Sequence, residues 1–233
     1  GVFVPLATVL RIPVSTSQAI VGGVAGVGLA VGAQIDIRVL VRIVEVWIIC
    51  PVLVGVLAIG INAIASRLLR RITPTSIWQR LPHALLILSA CYISFSLGAN
   101  HIGTAMGPIT NLAIDPGWLS ALGGVALAVG VLTFGHRVTQ TVGSGITPLD
   151  TVSAFSAQLA AALAVHFFSI VGIPVSTSQS IVGAVLGVGI LHGVRAVRLR
   201  KIRQIAIGWV ATPTAAALVS YGLYRLVALS VAS

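Results

Sequence analysis

The sequence predicts an all-α membrane protein. Of its 233 residues, 57% are hydrophobic and only 8% are charged, and the mean hydropathy of +1.08 does not fit a water-soluble surface. Apolar segments recur with lengths near the roughly 20 residues that cross a bilayer as a helix, and they lack the alternation of barrel strands. The predicted spans lie at 44–66, 82–97, 118–135, 151–172 and 205–228.

A hydroxyl-rich segment is duplicated within this apolar chain. Ile-Pro-Val-Ser-Thr-Ser-Gln occurs at 12–18 and again at 173–179, and the likeness extends over 12–29 and 173–190 with four differences. After one extra residue in the second copy the register resumes, pairing Trp47 with Trp209 and Pro51 with Pro213. The repeated unit is therefore a hydroxyl motif, a short helix, a charged connection and a spanning helix. Since few residues precede the first motif, we expect the first repeat to lack its N-terminal part.

The chemistry of the motif favours a binding site over simple packing. Pro13 and Pro174 cannot donate a backbone hydrogen bond and disfavour helix at the preceding residue, so each ends an apolar segment. Ser, Thr and Ser are then N-cap candidates for a new helix. A helix that begins inside the membrane directs free N–H groups and its positive dipole end toward the midplane, where they suit an oxyanion. A lone Ser-Thr-Ser would more often be structural, but its duplication with a leading proline favours a site.

The basic residues predict the orientation in the membrane. The chain has 14 Lys and Arg against 4 Asp and Glu, and most of the basic residues fall in connections at 67–81, 136–148 and 192–203. Three crossings between the two motifs would place these connections on one face, which the positive-inside rule makes cytoplasmic. Nucleic-acid binding is not expected, because no aromatic or base-reading residues accompany the basic ones.

A third unusual stretch, Gly98 to Pro108, interrupts an apolar segment with Asn100, His101 and Thr104. It resembles a signature of the inorganic phosphate transporter family, which normally reads Gly-Ala-Asn-Asp followed by a second Asn. The two Pro-Val-Ser-Thr-Ser-Gln segments resemble the family's other signature, as does Ile-Thr-Pro at 146–148. The resemblance covers nearly the whole chain.

The resemblance implies an inverted-repeat secondary transporter with broken helices and two re-entrant hairpins, located in the plasma membrane. It would carry inorganic phosphate by alternating access, coupled to Na⁺ or H⁺, without a cofactor or a defined metal site. Asn100 would belong to the second broken helix, and Asn100 with Thr104 would form the region for a coupling ion. An odd number of crossings between the motifs agrees with hairpins that open to opposite sides. The residues expected to hold the anion are Ser15, Thr16, Ser17, Ser176, Thr177 and Ser178.

Two departures from the family pattern change the expected chemistry. His101 stands where the family has Asp, and Thr104 or its neighbours replace the second Asn. Imidazole cannot replace a hard oxygen ligand for sodium, but it can carry a proton or pair with an anion; a role in bonding helices together is equally open. Arg11 precedes the first motif where the second has Gly172, and it is a candidate partner of the anion or a snorkelling residue.

Several functions other than phosphate transport also fit the sequence. Alternatives to a phosphate carrier are a proton-coupled permease for sulfate or another tetrahedral oxyanion, a passive anion channel and an inactive relic. An enzyme is not expected, because no base accompanies both motifs. The expected partners are the oxyanion and the lipid bilayer, with homo-oligomers left open.

The chain divides into the end of the first repeat at 1–66, a basic connection at 67–81 and the second repeat at 82–233.

Overall fold

The computed structural model describes residues 14–71, 76–112, 114–143, 149–191 and 199–232, together with Val4 and Gly193. Within these ranges helices are joined by short turns and extended segments, and no strand occurs. The helices are α1 Thr16–Ala30, α2 Ile37–Arg71, α3 Ser76–Met106, a 3₁₀ helix Gly107–Leu112, α4 Pro116–Gly143, α5 Thr151–Ile170, α6 Thr177–Leu191 and α7 Leu199–Ala232. The predicted all-α fold class is confirmed.

Five of the described helices, α2, α3, α4, α5 and α7, are long and apolar enough to cross a membrane. Each overlaps one of the five spans expected from hydropathy. Helices α1 and α6 have 15 residues each, which is short of the roughly 20 needed for a full crossing. The protein is therefore a multi-pass membrane protein in which both hydroxyl motifs begin short apolar helices.

The spanning helices extend further than hydropathy indicated. The connection expected at 67–81 is mostly helical, because α2 continues to Arg71 and α3 begins at Ser76. Arg70 and Arg71 occupy the last turn of α2, where positive charge interacts favourably with the helix dipole. The two other basic connections are shortened by neighbouring helices in the same way. Charged residues thus end the apolar segment without ending the helix.

The helix that carries Asn100 changes its geometry after that residue. Helix α3 runs without interruption through Asn100 and His101 as far as Met106, and only then changes to the 3₁₀ helix. Pro108 explains the position, since it lacks an N–H and disfavours α-helix at Gly107 before it. Asn100 therefore projects from a regular helix more than a turn before this change, and its place in a broken helix stays a prediction.

The second motif forms the tip of a helical hairpin. Helix α5 ends with Val171 as its C-cap and Gly172 at φ +77°, a left-handed conformation that favours glycine. Residues 173–176 are extended, and α6 then packs back against α5. The predicted start of a new helix after Pro174 is present; a re-entrant arrangement of the pair stays a prediction, because α5 is also long enough to span the membrane. The residues before Val14 at the first motif, except Val4, lie outside the described residues.

The short helix of each copy packs on the spanning helix of the other copy. Helix α1 packs on α7, the spanning helix of the second copy, while α6 packs on α2, the spanning helix of the first. Equivalent glycines make both crossings: a Cβ on Gly22 would lie 2.8 Å from the Cα of Pro213, and one on Gly183 would lie 2.6 Å from the Cα of Pro51. Small residues that admit a neighbouring backbone are typical of tight helix crossings in membranes. The packing thus follows the sequence repeat and brings the starts of α1 and α6 together.

Helix α5 lies at the centre of the better-packed half of the molecule. It contacts α2, α3 and α6, and small side chains allow the close approach. The buried apolar residues of this cluster are Cys50, Val54, Ala58, Ile93, Ala157, Ala160, Ala161, Ala162, Ala164, Ala184 and Val188. This packing fixes the second tip relative to α3, which carries Asn100 and His101.

Candidate functional site

The first serine of each motif caps the helix that follows. The N-cap Ser15 accepts a hydrogen bond through Oγ from the backbone N–H of Gln18 at 3.4 Å, and Ser176 accepts one from Gln179 at 3.3 Å. Both serines are buried. Because these oxygens already satisfy the helix ends, the serines chiefly shape the tips, and a direct role in holding an anion stays a prediction.

The threonines of both motifs meet at one imidazole. Thr16 Oγ1 lies 3.3 Å from His101 Nδ1, and Thr177 Oγ1 lies 3.5 Å from His101 Nε2. A neutral imidazole has one donor and one acceptor nitrogen, and a hydroxyl group can serve either. The two motifs, far apart in the sequence, therefore converge on His101 of α3.

Asn100 ties the same two tips together from the preceding position of α3. Its Nδ2 donates to Ser17 Oγ at 3.4 Å and to the backbone carbonyl of Val175 at 3.1 Å, and the side chain is 4% exposed. Thr104, one turn later, donates to the carbonyl of Asn100 at 2.7 Å. Asn100 therefore positions the tips with its amide protons, and Thr104 bonds within its own helix.

The indole of Trp47 also fixes the second tip. Its Nε1 donates to the carbonyl of Pro174 at 3.0 Å across the crossing of α2 and α6. This contact was not expected from the sequence, although the recurrence of tryptophan at 47 and 209 was its visible signal. The second tip is thus held by two donors, Trp47 and Asn100, at adjacent carbonyls.

Three aspartates accept hydrogen bonds at the N-termini of helices other than α1 and α6. Asp36, Asp115 and Asp150 accept backbone N–H groups at the beginnings of α2, α4 and α5. The tips instead present hydroxyls, an imidazole and the positive dipole ends of α1 and α6. Such a set favours a negatively charged, oxygen-rich ligand.

An open cavity borders Asn100 and the turn before the second motif. It has a volume of about 470 Å³ and is lined by Asn100, Thr104 and the turn at 172–174, with mostly apolar residues of α1 and α2 completing its wall. Of the side chains that join the two tips, that of Asn100 lines this cavity. Arg11, the expected cationic partner of an anion, lies outside the described residues.

We expect Asn100→Asp to separate the tips and strongly destabilise the protein. The carboxylate would face the Val175 carbonyl with an acceptor in place of a donor, and an unsatisfied buried polar group costs about 1–3 kcal/mol, more when it is charged. Thermal unfolding in detergent, followed by tryptophan fluorescence, measures the change. Thr104→Val is the matched control, since it removes only a bond within α3; equal melting temperatures for the two variants would contradict the role assigned to Asn100.

Comparison with known proteins places these features in a family. A family model described as "Phosphate transporter family" matches residues 1–83 and 74–220. The chain belongs to the phosphate transporter family. Its predicted function class, transport of inorganic phosphate, is thereby confirmed at the level of the family, and a family of transporters agrees with the expectation of a protein that is not an enzyme.

Individual relatives agree with this assignment. A protein of Methanocaldococcus jannaschii named "Putative phosphate permease" is 31% identical over 226 residues, which cover 95% of this chain and 71% of that protein. The "Sodium-dependent phosphate transporter 1-A" of Xenopus laevis is 38% identical over 154 residues, covering 61% of this chain and 22% of the frog protein. A solved structure entitled "The sodium-dependent phosphate transporter" superposes with a TM-score of 0.83 at 24% identity, covering 97% of this chain and 76% of that one. That similarity establishes a shared fold.

Proposed function

We propose that this phosphate transporter family member binds inorganic phosphate between its two hydroxyl motifs and carries it across the plasma membrane together with protons. The main support is the convergence of Thr16 and Thr177 on the two ring nitrogens of His101. Two helix N-termini face this point with their positive dipole ends, which stabilise an anion. Asn100, the preceding residue of α3, contacts both motifs as well.

Phosphate binding would replace the contacts that now link the threonines through His101. Each hydroxyl would turn its proton toward a phosphate oxygen, and the free N–H groups of the first turns of α1 and α6 would add donors. Asn100 would keep the tips at their separation, because its amide protons remain engaged with Ser17 and Val175. The binding site is thus prepared by the protein before the anion arrives.

Proton coupling follows from the chemistry of the imidazole. Neutral His101 offers a single N–H, whereas the protonated ring offers two and carries positive charge. Protonation would therefore raise the affinity for phosphate, and bound phosphate would by reciprocity hold the proton on the ring. The frog relative is named sodium-dependent, but imidazole is a poor ligand for sodium, which prefers oxygen atoms. His101 therefore favours protons as the coupling ion of this chain.

The two repeated units would together move the anion across the membrane. The tips lie at the starts of the short helices of the two copies. Each short helix packs on the spanning helix of the other copy. Alternate opening beside one tip and then the other would expose the anion to opposite sides. The basic connections 67–81, 136–148 and 192–203 would face the cytoplasm.

Replacing either threonine by valine tests the proposed site. Thr16→Val and Thr177→Val keep the shape of the side chain but remove one hydroxyl donor each, and we expect the Michaelis constant for phosphate uptake to rise about tenfold in each variant. The intact protein in proteoliposomes, supplied with labelled phosphate under an inward proton gradient, gives this measurement. The threonine variants are easier to interpret than a variant of Ser176, because removal of the Ser176 hydroxyl would also remove the N-cap of α6.

Thr133→Val provides the control for the threonine experiment. Its hydroxyl is exposed on α4 and donates to the carbonyl of Val129 within the same helix. This variant should transport phosphate with an unchanged Michaelis constant. If Thr16→Val and Thr177→Val behave like Thr133→Val, the tips do not bind the anion and the proposal fails.

A further inference from the structure

Two glutamine side chains at equivalent positions of the repeats have a buried oxygen without a partner. Gln18 and Gln179 each follow directly after a Ser-Thr-Ser cluster, and they are 1% and 4% exposed. Among the described residues, the Oε1 atoms of these two glutamines are the buried side-chain nitrogen or oxygen atoms that lack a hydrogen bond. An orphaned acceptor costs about 1–3 kcal/mol, and its occurrence in both copies calls for a ligand that supplies hydrogens.

Their place in the helices brings both amides to the level of the tips. With Ser15 as N-cap, Gln18 is the third residue of α1, and Gln179 occupies the same position in α6. Side chains on a helix lean toward its N-terminus, and a glutamine at this position is long enough to reach back to the N-cap residue. No capping bond of that kind satisfies either Oε1 here. The two oxygens therefore lie beside helix ends that face the proposed anion.

The same crossings that join the repeats account for the burial of the amides. Gln18 lies one and two turns before Gly22 and Gly26, whose side of α1 packs against the backbone of α7. Gln179 stands in the same relation to Gly183 and Gly187, which pack against α2. The close approach of a spanning helix shields each amide from lipid and water.

The chemistry of an acceptor distinguishes between tetrahedral oxyanions. Near neutral pH phosphate keeps one or two P–OH groups, as does arsenate with its As–OH groups, whereas sulfate is fully deprotonated. A hydroxyl such as that of Thr16 can donate to any of them, but an amide oxygen can only accept. We propose that Oε1 of Gln18 and of Gln179 accept the P–OH hydrogens of bound phosphate and so select phosphate over sulfate. This inference rests on the proposed function of the tips as the phosphate site.

Competition between oxyanions tests the inference. Labelled phosphate uptake by the intact protein in proteoliposomes is measured against added arsenate or sulfate, for the unmodified protein and for Gln18→Met and Gln179→Met. Loss of the acceptor should weaken phosphate and arsenate about tenfold per glutamine while sulfate is unaffected, so that the preference for phosphate over sulfate falls about tenfold. Because the readout is a ratio of inhibition constants, it does not depend on how much protein is folded.

The control and the contrary outcomes are equally specific. Gln158→Met removes a half-buried glutamine whose Oε1 already accepts a hydrogen bond from Ser89 Oγ at 2.8 Å. This variant should leave the preference for phosphate over sulfate unchanged. Parallel weakening of phosphate and sulfate would overturn the inference in favour of a structural role. A changed dependence on sodium at a constant ratio would overturn it in favour of a cation ligand. Failure of the proposed function shows itself separately, as unaltered phosphate affinity in Thr16→Val and Thr177→Val.

Discussion

Gly22→Ala is expected to prevent stable folding, whereas Gly23→Ala at the next position is expected to be harmless. A Cβ on Gly22 would stand 2.8 Å from the Cα of Pro213 and 2.9 Å from its carbonyl carbon, and these are backbone atoms of a spanning helix that cannot turn aside. Overpacking of this kind costs about 1–3 kcal/mol or more, and the loss of the crossing between α1 and α7 would add to it. Gly183→Ala, which meets Pro51 in the other copy, should have the same effect.

The neighbouring glycine makes the comparison decisive. Gly23 has no atom within 4 Å of the position of an added Cβ, and alanine favours a helix over glycine by about 1 kcal/mol. Gly23→Ala should therefore melt at or above the temperature of the unmodified protein in detergent, while Gly22→Ala melts lower or fails to accumulate as monodisperse protein. Equal behaviour of the two variants would show that the exchanged helix crossing does not hold the fold together.

Local chemistry in the sequence was sufficient to predict the spans and the start of a new helix at the second motif. Apolar length marks the five spanning helices, and Pro174 followed by hydroxyl residues marks the start of α6. The exchange of short helices between copies was not predictable from the same pattern, because it depends on which glycines face a neighbouring backbone. Helix ends were also misplaced, since α2 runs beyond its apolar segment to Arg71. Hydropathy reports where lipid contact ends, whereas helix hydrogen bonding continues into water.

The site shows the same division between residue type and geometry. The repeat directed attention to the serines and threonines, and Asn100 and His101 stood out as polar residues in an apolar segment. Their separate contacts depend on helix phase: Ser15 caps α1, Thr16 meets His101 and Ser17 meets Asn100. Three adjacent hydroxyls with one sequence signature thus have three different partners. Only a structure resolves such a division, because successive residues of a starting helix point about 100° apart.

His101→Asp is expected to exchange one coupling ion for another. The substitution would place carboxylate oxygens between Thr16 and Thr177, where imidazole now bonds both hydroxyls. Carboxylate is a hard oxygen ligand that suits sodium and, when ionised, repels phosphate unless a cation is bound. Uptake driven by a proton gradient should therefore fall by about 100-fold, consistent with losing roughly 2.7 kcal/mol of favourable charge interaction, and uptake should become dependent on sodium. Proteoliposomes with independently imposed proton and sodium gradients measure both quantities.

Two further variants separate coupling from binding at His101. His101→Gln keeps a neutral hydrogen-bonding side chain but cannot be protonated, so it should still exchange external for internal phosphate while losing accumulation driven by protons. His166→Gln is the matched control, because His166 bonds to Tyr92 OH at 2.8 Å on α3 and makes no described contact with the tips. Proton-driven accumulation that survives in His101→Gln, or disappears equally in His166→Gln, would contradict the assignment of the coupling proton to His101. A carrier that retains exchange but loses accumulation would instead show that the imidazole between the two threonines links the proton to the anion.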